Sequence, residues 1–380
     1  MKKLCILFLI IFLIGIIPIN TFAISARSAV VLDAASGRIL FEHNSRERRG
    51  MASTTKIMTA LCALEYGDME KIVTISKTAS GVEGSSMYLA PNEKLRLSDL
   101  VYGLMLVSGN DAATAIAESI SGSTQKFAEL MNKKALEIGA FDTSFTNPHG
   151  LSDENHFTTA YDLAKITAYA IKNPLFRDIV ATKSKSLPQT EGGFPRHLVN
   201  HNKFLSMYDG CIGVKTGFTK ATGRCLVTAV EKNGLKLICV TLNDPDDWSD
   251  HKNLFDSAYS TFTPHKVKSS NEVITTAPLK NGEVDKVDLI VPNDIYIPIK
   301  QGEESLIKIS AEPFEELTAP VSAGDVLGTL KVKINDTNCG EFPLIANADI
   351  AERKAIFKTS KTGFGKTFKK LFYAWITCFE

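Results

Sequence analysis

The chain has 380 residues, 44% of them hydrophobic, enough apolar material for a sizeable core and for more than one domain. Its 43 basic and 42 acidic residues leave a formal net charge of +1, which excludes a global electrostatic pull toward nucleic acid. The seven cysteines are too scattered for a metal ribbon or a dense disulfide scaffold.

The first element is a leader. Lys2 and Lys3 precede the apolar run Leu4 to Ile17, and small residues follow at Ala23, Ser25 and Ala26. This reads as a secretory signal over residues 1–25. The run is short for a membrane span, although an uncleaved anchor is the alternative. In either case the domain that follows lies outside the cytoplasm.

Two short apolar runs, Ala29 to Asp33 and Arg38 to Glu42, flank the Gly-ended turn Ala34 to Gly37 and predict a hairpin. Ser53 opens a helical stretch with Ile57, Met58, Leu61 and Leu64 on one face. Ser98-Asp99 is expected to cap a helix over Leu100 to Val107. Ser123 is expected to cap one that stops at Gly139, and Thr159 opens another. Strands return at Cys211 to Thr216, Cys225 to Glu231 and Lys236 to Leu242, the last two joined by Asn233-Gly234. A helix over Asp250 to Phe262 closes the unit. Strands at both ends with helices inserted between them imply one α+β domain over residues 26–265, its antiparallel sheet built from both chain ends. Cys62, Cys211, Cys225 and Cys239 fall on these elements and read as buried free thiols; one Cys211–Cys225 or Cys225–Cys239 bridge stays open.

From residue 266 to 350 the texture changes. Short alternating runs at Val287 to Val291, Ile295 to Ile299, Leu306 to Ile309 and Val326 to Ile334 are punctuated by prolines, predicting a small all-β sandwich domain. Residues 351–380 change again: Phe364, Phe368, Leu371, Phe372, Trp375 and Ile376 recur at helical spacing among Lys358, Lys361, Lys366, Lys369 and Lys370. A basic amphipathic helix of this kind reads as lying on a membrane surface; packing on its own protein is the alternative.

Three short motifs carry the chemistry. Ser53 and Lys56 stand three apart at a helix start, on one face. A serine hydroxyl is a poor nucleophile until a base takes its proton, and a lysine amine serves when burial or a neighbouring cation lowers its pKa. Lys215 is a candidate for that cation. In Ser108-Gly109-Asn110, between two helical runs, Ser108 is placed to relay a proton and Asn110 to hold the Lys56 amine. Lys215-Thr216-Gly217 ends a strand: the lysine and the threonine hydroxyl suit a substrate carboxylate, and Gly217 leaves room along the strand edge. The backbone N–H groups of Ser53 and Phe218 would then make an oxyanion hole.

Each motif alone is weak. Ser305 to Lys308, Ser269 to Asn271 and Lys361 to Gly363 repeat the three patterns elsewhere, and only the first copies share one domain. Gly365-Lys366-Thr367 partly matches a phosphate loop but lacks its first glycine and a preceding strand. The histidines lack metal-ligand spacing, and no Gly-x-Ser-x-Gly supports a Ser-His-Asp triad.

With these residues in order, the chain resembles the low-molecular-weight penicillin-binding proteins, specifically the serine-type D-alanyl-D-alanine carboxypeptidases with a C-terminal β domain. The resemblance covers nearly the whole chain, through Ala52 to Ala60, Val107 to Ala112, Asn147 to Leu151, Thr158 to Ala164 and Val214 to Thr219. It implies a β-lactamase/DD-peptidase-like fold that needs no cofactor or metal. It implies Ser53 as the acylated nucleophile, Lys56 as its base, Ser108 and Asn110 as the second element, and Lys215, Thr216 and Gly217 at the terminal carboxylate. The implied substrate is the peptidoglycan stem peptide, which loses its last D-alanine; β-lactams would acylate Ser53 as mimics. Ser86, in Gly84 to Met87, matches a loop bordering the site. The chain departs from the family at His201, where some relatives carry an arginine that assists carboxylate binding. Location outside the cytoplasmic membrane, beside the cell wall, follows from the leader and the tail. The rival readings are a secreted β-lactamase, for which no Glu-x-x-Leu-Asn stands between Ser108 and Lys215, a DD-endopeptidase on the same fold, and a non-catalytic wall-binding protein.

Overall fold

The computed structural model describes residues 24–353. Most of the expected leader and nearly all of the basic amphipathic tail lie outside these residues. The described chain forms two compact units. One holds the residues up to Val267 with Tyr296–Ile309 and Val332–Glu341; the other holds Lys268–Ile295, Ser310–Lys331 and the residues from Phe342.

In the first unit, five strands make one antiparallel sheet in the order Ile39–His43, Ser28–Asp33, Leu235–Leu242, Gly223–Lys232, Cys211–Thr219. The first pair and the last three come from opposite ends of the sequence, as the α+β reading requires. Strand alternation separates two cores. Val30, Leu32, Val227, Ile238 and Val240 face a helical layer that includes the helices Lys56–Tyr66, Leu97–Leu106 and Ala160–Ala170. Val31, Val230, Leu237 and Cys239 face Leu254 and Phe255 of the helix Asp247–Thr261. The helix Lys56–Tyr66 is buried at every position from Lys56 to Ala63, so it runs through the middle of the unit rather than along its surface.

The caps at Ser123 and Thr159 form as expected: each side chain accepts an N–H of its helix's first turn. Gly139 ends its helix at φ 81°, a left-handed conformation that glycine adopts without a Cβ penalty. The Ser98-Asp99 cap does not form. The helix begins at Leu97, because the N–H groups of Leu97 and Ser98 are taken by the carbonyls of Lys71 and Met69. With those donors satisfied from a neighbouring segment, no side-chain cap is needed. Cys62, Cys211, Cys225, Cys239 and Cys339 are free thiols, so neither bridge left open above forms.

The strands after residue 262 confirm an all-β segment. Val273–Pro278, Lys286–Ile290, Thr337–Ala346, Val326–Ile334 and Ile307–Pro313 make a five-stranded sheet in that order, and Thr263–Lys268 pairs with Ile295–Ile299. Thr337–Ala346 was not anticipated from the sequence. Asn335 and Asp336 lead into it, both at positive φ, the conformation of a tight two-residue hairpin turn. Among the described residues no helix is long and apolar enough to cross a membrane.

Candidate active site

Ser53 lies on a single 3-10 turn, Ala52–Thr55, that runs straight into the buried helix Lys56–Tyr66. The turn is pressed from two sides. Gly217, on the edge strand, comes so close that a Cβ there would stand 3.1 Å from the Ser53 and Thr54 nitrogens. Gly150, at φ 90°, lies beneath it; a Cβ there would meet the Ala52 carbonyl oxygen at 1.9 Å. At Gly150 only glycine permits the approach, whereas at Gly217 a side chain would force its neighbours to give way slightly.

Lys56 is fully buried, and its Nζ has three neighbours: Ser53 Oγ at 2.9 Å, Asn110 Oδ1 at 2.7 Å and the His149 carbonyl oxygen at 2.7 Å. Burial, and then the charge of Lys215, hold the Lys56 pKa well below 10.5, with Asp111 opposing. A neutral amine has two hydrogens and one lone pair. Asn110 Oδ1 and the His149 carbonyl can only accept, so they take the two hydrogens. In that neutral form the lone pair would face Ser53 Oγ, 2.9 Å away, and accept the hydroxyl proton. This is the arrangement a general base needs before attack.

Asn110 is fixed in turn: its Nδ2 donates to the Glu83 carbonyl at 2.6 Å, and its backbone N–H donates to Ser85 O at 2.7 Å. Ser108 sits between the two helices at φ 60°. Its hydroxyl is buried without a hydrogen-bond partner among the described residues, although the residue lines the cleft. An orphaned buried hydroxyl on strained backbone is costly, and such features gather at sites where a substrate supplies the missing partner.

Lys215 is also buried, and its Nζ donates to the Thr216 carbonyl at 3.0 Å. Desolvation brings its pKa down to about 7. Thr216, Gly217 and Phe218 line the cleft, with Phe218 exposed at its mouth. His201 lines the same cleft, held by its N–H to the Leu106 carbonyl, and burial followed by the charge of Lys215 lowers its pKa. The cleft measures about 380 Å³.

The structure thus brings together Ser53, Lys56, Ser108, Asn110, Lys215, Thr216, Gly217, Phe218 and His201. Ser86 is placed differently. Its hydroxyl donates to Asp111 Oδ2 at 2.6 Å, and Asp111 also accepts the N–H groups of Met87 and Leu89, so Ser86 holds its own loop together. The neighbouring Ser85 lines the cleft instead. Adjacent residues of an extended loop point opposite ways, and the sequence motif alone does not say which one faces in.

Several cleft residues were not anticipated: Lys203, Arg224, Asp247 and Trp248. Arg224 pairs with Asp247 at 2.8 Å and lies 5.9 Å from the Trp248 ring centroid. A signal for it existed. Once the strand that carries Lys215 is paired with the next one, Arg224 falls directly opposite Phe218. The His149 carbonyl is a contact that no residue-type motif can encode, since it comes from backbone. Among the described residues no group of histidine, cysteine and carboxylate side chains is gathered as metal ligands.

Comparison with known proteins places these observations. A family model described as D-alanyl-D-alanine carboxypeptidase matches residues 17–246, and one described as penicillin-binding protein 5, C-terminal domain, matches residues 262–352. The D-alanyl-D-alanine carboxypeptidase DacF of Bacillus subtilis is 34% identical over 344 residues, covering 88% of this chain and 87% of that one. Penicillin-binding protein 5 from Haemophilus influenzae superposes with a TM-score of 0.70 at 31% identity, over 88% of this chain and 100% of that one. A peptidoglycan synthesis regulatory factor (PBP3) from Streptococcus pneumoniae gives 0.69 at 28% identity, over 87% and 100%.

Proposed function

Because this chain belongs to the D-alanyl-D-alanine carboxypeptidase family, we propose that its cleft removes the terminal D-alanine of peptidoglycan stem peptides through an acyl-enzyme on Ser53. The protein is a serine hydrolase of cell-wall metabolism. The observation that supports the assignment of roles is the buried Lys56, its pKa lowered by desolvation and Lys215, with Nζ within hydrogen-bond distance of Ser53 Oγ, Asn110 Oδ1 and the His149 carbonyl.

The steps follow from that arrangement. The Ser53 oxygen attacks the carbonyl carbon of the penultimate residue as its proton passes to the Lys56 nitrogen. The N–H groups of Ser53 and Phe218 receive the developing oxyanion. Ser108 passes its hydroxyl proton to the leaving nitrogen and takes back the one that Lys56 received from Ser53; the C–N bond breaks and free D-alanine departs. Lys215 in its charged form and the Thr216 hydroxyl hold the substrate carboxylate until then, beside His201. Water next attacks the Ser53 ester, giving the shortened peptide acid and returning the proton to Ser53. β-Lactams enter by the same first step and leave a stable ester. Asp247, the carboxylate lining the cleft, is committed to Arg224, which disfavours the fast deacylation of a β-lactamase.

The test is covalent labelling with a fluorescent penicillin, with D-alanine release from a monomeric pentapeptide measured in parallel. Labelling and release should both vanish in Ser53→Ala. Rapid turnover of penicillin without a lasting label, or cleavage confined to cross-linked dimers, would overturn the reading.

Family members act on peptidoglycan in the cell envelope. For this chain we add an N-terminal export leader, a catalytic domain over 26–265, an all-β domain over 266–350 and a tail over 351–380 that rests on the membrane surface. The basic and aromatic spacing of the tail supports that last reading. Truncation before Arg353 should release the protein from membranes while D-alanine release from soluble peptide persists; continued sedimentation with membranes would refute the anchor.

A further inference from the structure

Ile24, Ser25 and Ala26 immediately follow the apolar leader, yet they are built into the catalytic unit. Ala26 is buried, and Ile24 packs against the core that contains Leu254 and Phe255. The backbone N–H of Ser25 donates to Asp250 Oδ2 at 2.7 Å, and its hydroxyl reaches Asp244 Oδ1 at 2.6 Å and Asp250 Oδ2 at 2.9 Å. One residue on, the Arg27 N–H donates to the Asn243 carbonyl.

The two aspartates that receive this segment lack a cation. Asp244 is fully buried, its Oδ2 has no hydrogen-bond partner among the described residues, and neither aspartate forms an ion pair there. Of the nearby arginines, Arg224 pairs with Asp247 and Arg49 with Glu47, while Arg27 is exposed and forms an ion pair with neither aspartate among the described residues. Two close carboxylates out of water repel each other unless one of them takes up a proton or a positive charge joins them.

We propose that export processing cuts the Ala23–Ile24 bond and that the new α-ammonium of Ile24 is the cation this aspartate pair is built to hold. The inference rests on the export reading above. Hydrolysis adds the hydroxyl of water to the Ala23 carbonyl carbon and a proton to the Ile24 nitrogen, which takes a second proton as an ammonium; the leader departs as a carboxylate. Standard backbone geometry puts that nitrogen roughly 3–3.5 Å from the Ser25 nitrogen, within reach of the same carboxylates. Thr21 and Ala23 supply the small residues that signal cleavage needs before the cut. A cut after Ser25, the end of the leader read from sequence, would remove both the Ser25 contacts and the Ile24 packing. Burial and the adjacent Asp250 push Asp244 up to about 6, against the Ser25 and Thr241 hydroxyls, a shift that an ammonium beside it would reverse.

Mass spectrometry of the envelope-derived protein should find Ile24 as the first residue. A start at Ser25 or beyond, or a retained leader, overturns the proposal and leaves export intact; absence of the protein from the envelope overturns export as well. In a second arm, the chain from Ile24 to Glu380 with a free amine is compared with the same chain carrying Gly-Ser-Gly before Ile24. The extended form should melt about 2–4 °C lower, the shift expected on losing one partly buried ion pair from a domain of this size. That difference should disappear in Asp244→Asn and shrink in Asp250→Asn. Equal melting of the two wild-type forms overturns the ammonium's role, whatever the variants do.

Discussion

Asn110→Asp tests the proton logic of the cleft with the smallest change of shape. Wild-type Asn110 Oδ1 lies 2.7 Å from Lys56 Nζ and accepts one of its hydrogens. A carboxylate there would attract an ammonium at that separation by about 6 kcal/mol at an effective dielectric of 20. Desolvating the new charge, and turning the Nδ2 donor to the Glu83 carbonyl into an acceptor, offsets much of this. Even one third of it, about 2 kcal/mol spent keeping Lys56 protonated, slows acylation at neutral pH by up to about 30-fold. The sign follows from the base. An aspartate favours the charged amine, whose three hydrogens then include one directed at Ser53 Oγ, so the hydroxyl no longer donates to Lys56. The assay is the rate of labelling by a fluorescent penicillin as a function of pH. Labelling by the variant should be slow at neutral pH and recover toward alkaline pH as Lys56 loses its proton. An unchanged rate and unchanged profile would refute the assignment of Lys56 as a neutral base.

Lys215, brought down to about 7 by burial, should lose its charge as pH rises through that value, so affinity for the peptide carboxylate falls on the alkaline side. In Lys215→Arg that alkaline loss should disappear from the KM profile, because a guanidinium stays charged. The pair Glu93–Arg196 is buried, at 2.6 Å, and Arg196 also donates to the Met87 and Tyr88 carbonyls, holding the loop beside the cleft. Arg196→Met should cost about 3–5 kcal/mol in denaturant unfolding, and the double variant Glu93→Leu/Arg196→Met less than that, since it leaves no lone buried charge. Gly150→Ala drives a Cβ into the Ala52 carbonyl at positive φ, so it should lower the melting temperature and depress penicillin labelling beyond any loss of folded protein.

Much of the architecture was legible because local patterns and tertiary demands coincide. Asn233-Gly234 turns as its residue types require, and Ser123 and Thr159 cap as theirs allow. Where they part, a long-range contact has taken over a local role. The carbonyls of Lys71 and Met69 replace the expected cap at Leu97. Ser86 fits its motif, but its hydroxyl is drawn to Asp111, leaving Ser85 in the cleft.

The sequence by itself determined which groups are present and in what order: a serine three residues before a lysine at a helix start, a Ser-Gly-Asn loop, and a Lys-Thr-Gly strand after a leader. It could do so because nucleophile, base and carboxylate binder are fixed by residue type. Only the tertiary structure decided their state. Burial of Lys56 and Lys215 lowers both pKa values, and the His149 carbonyl with Asn110 turns the amine's lone pair toward Ser53. Charge state and hydrogen-bond direction depend on desolvation and on backbone atoms far apart in the chain, and neither is written in the identity of any one residue.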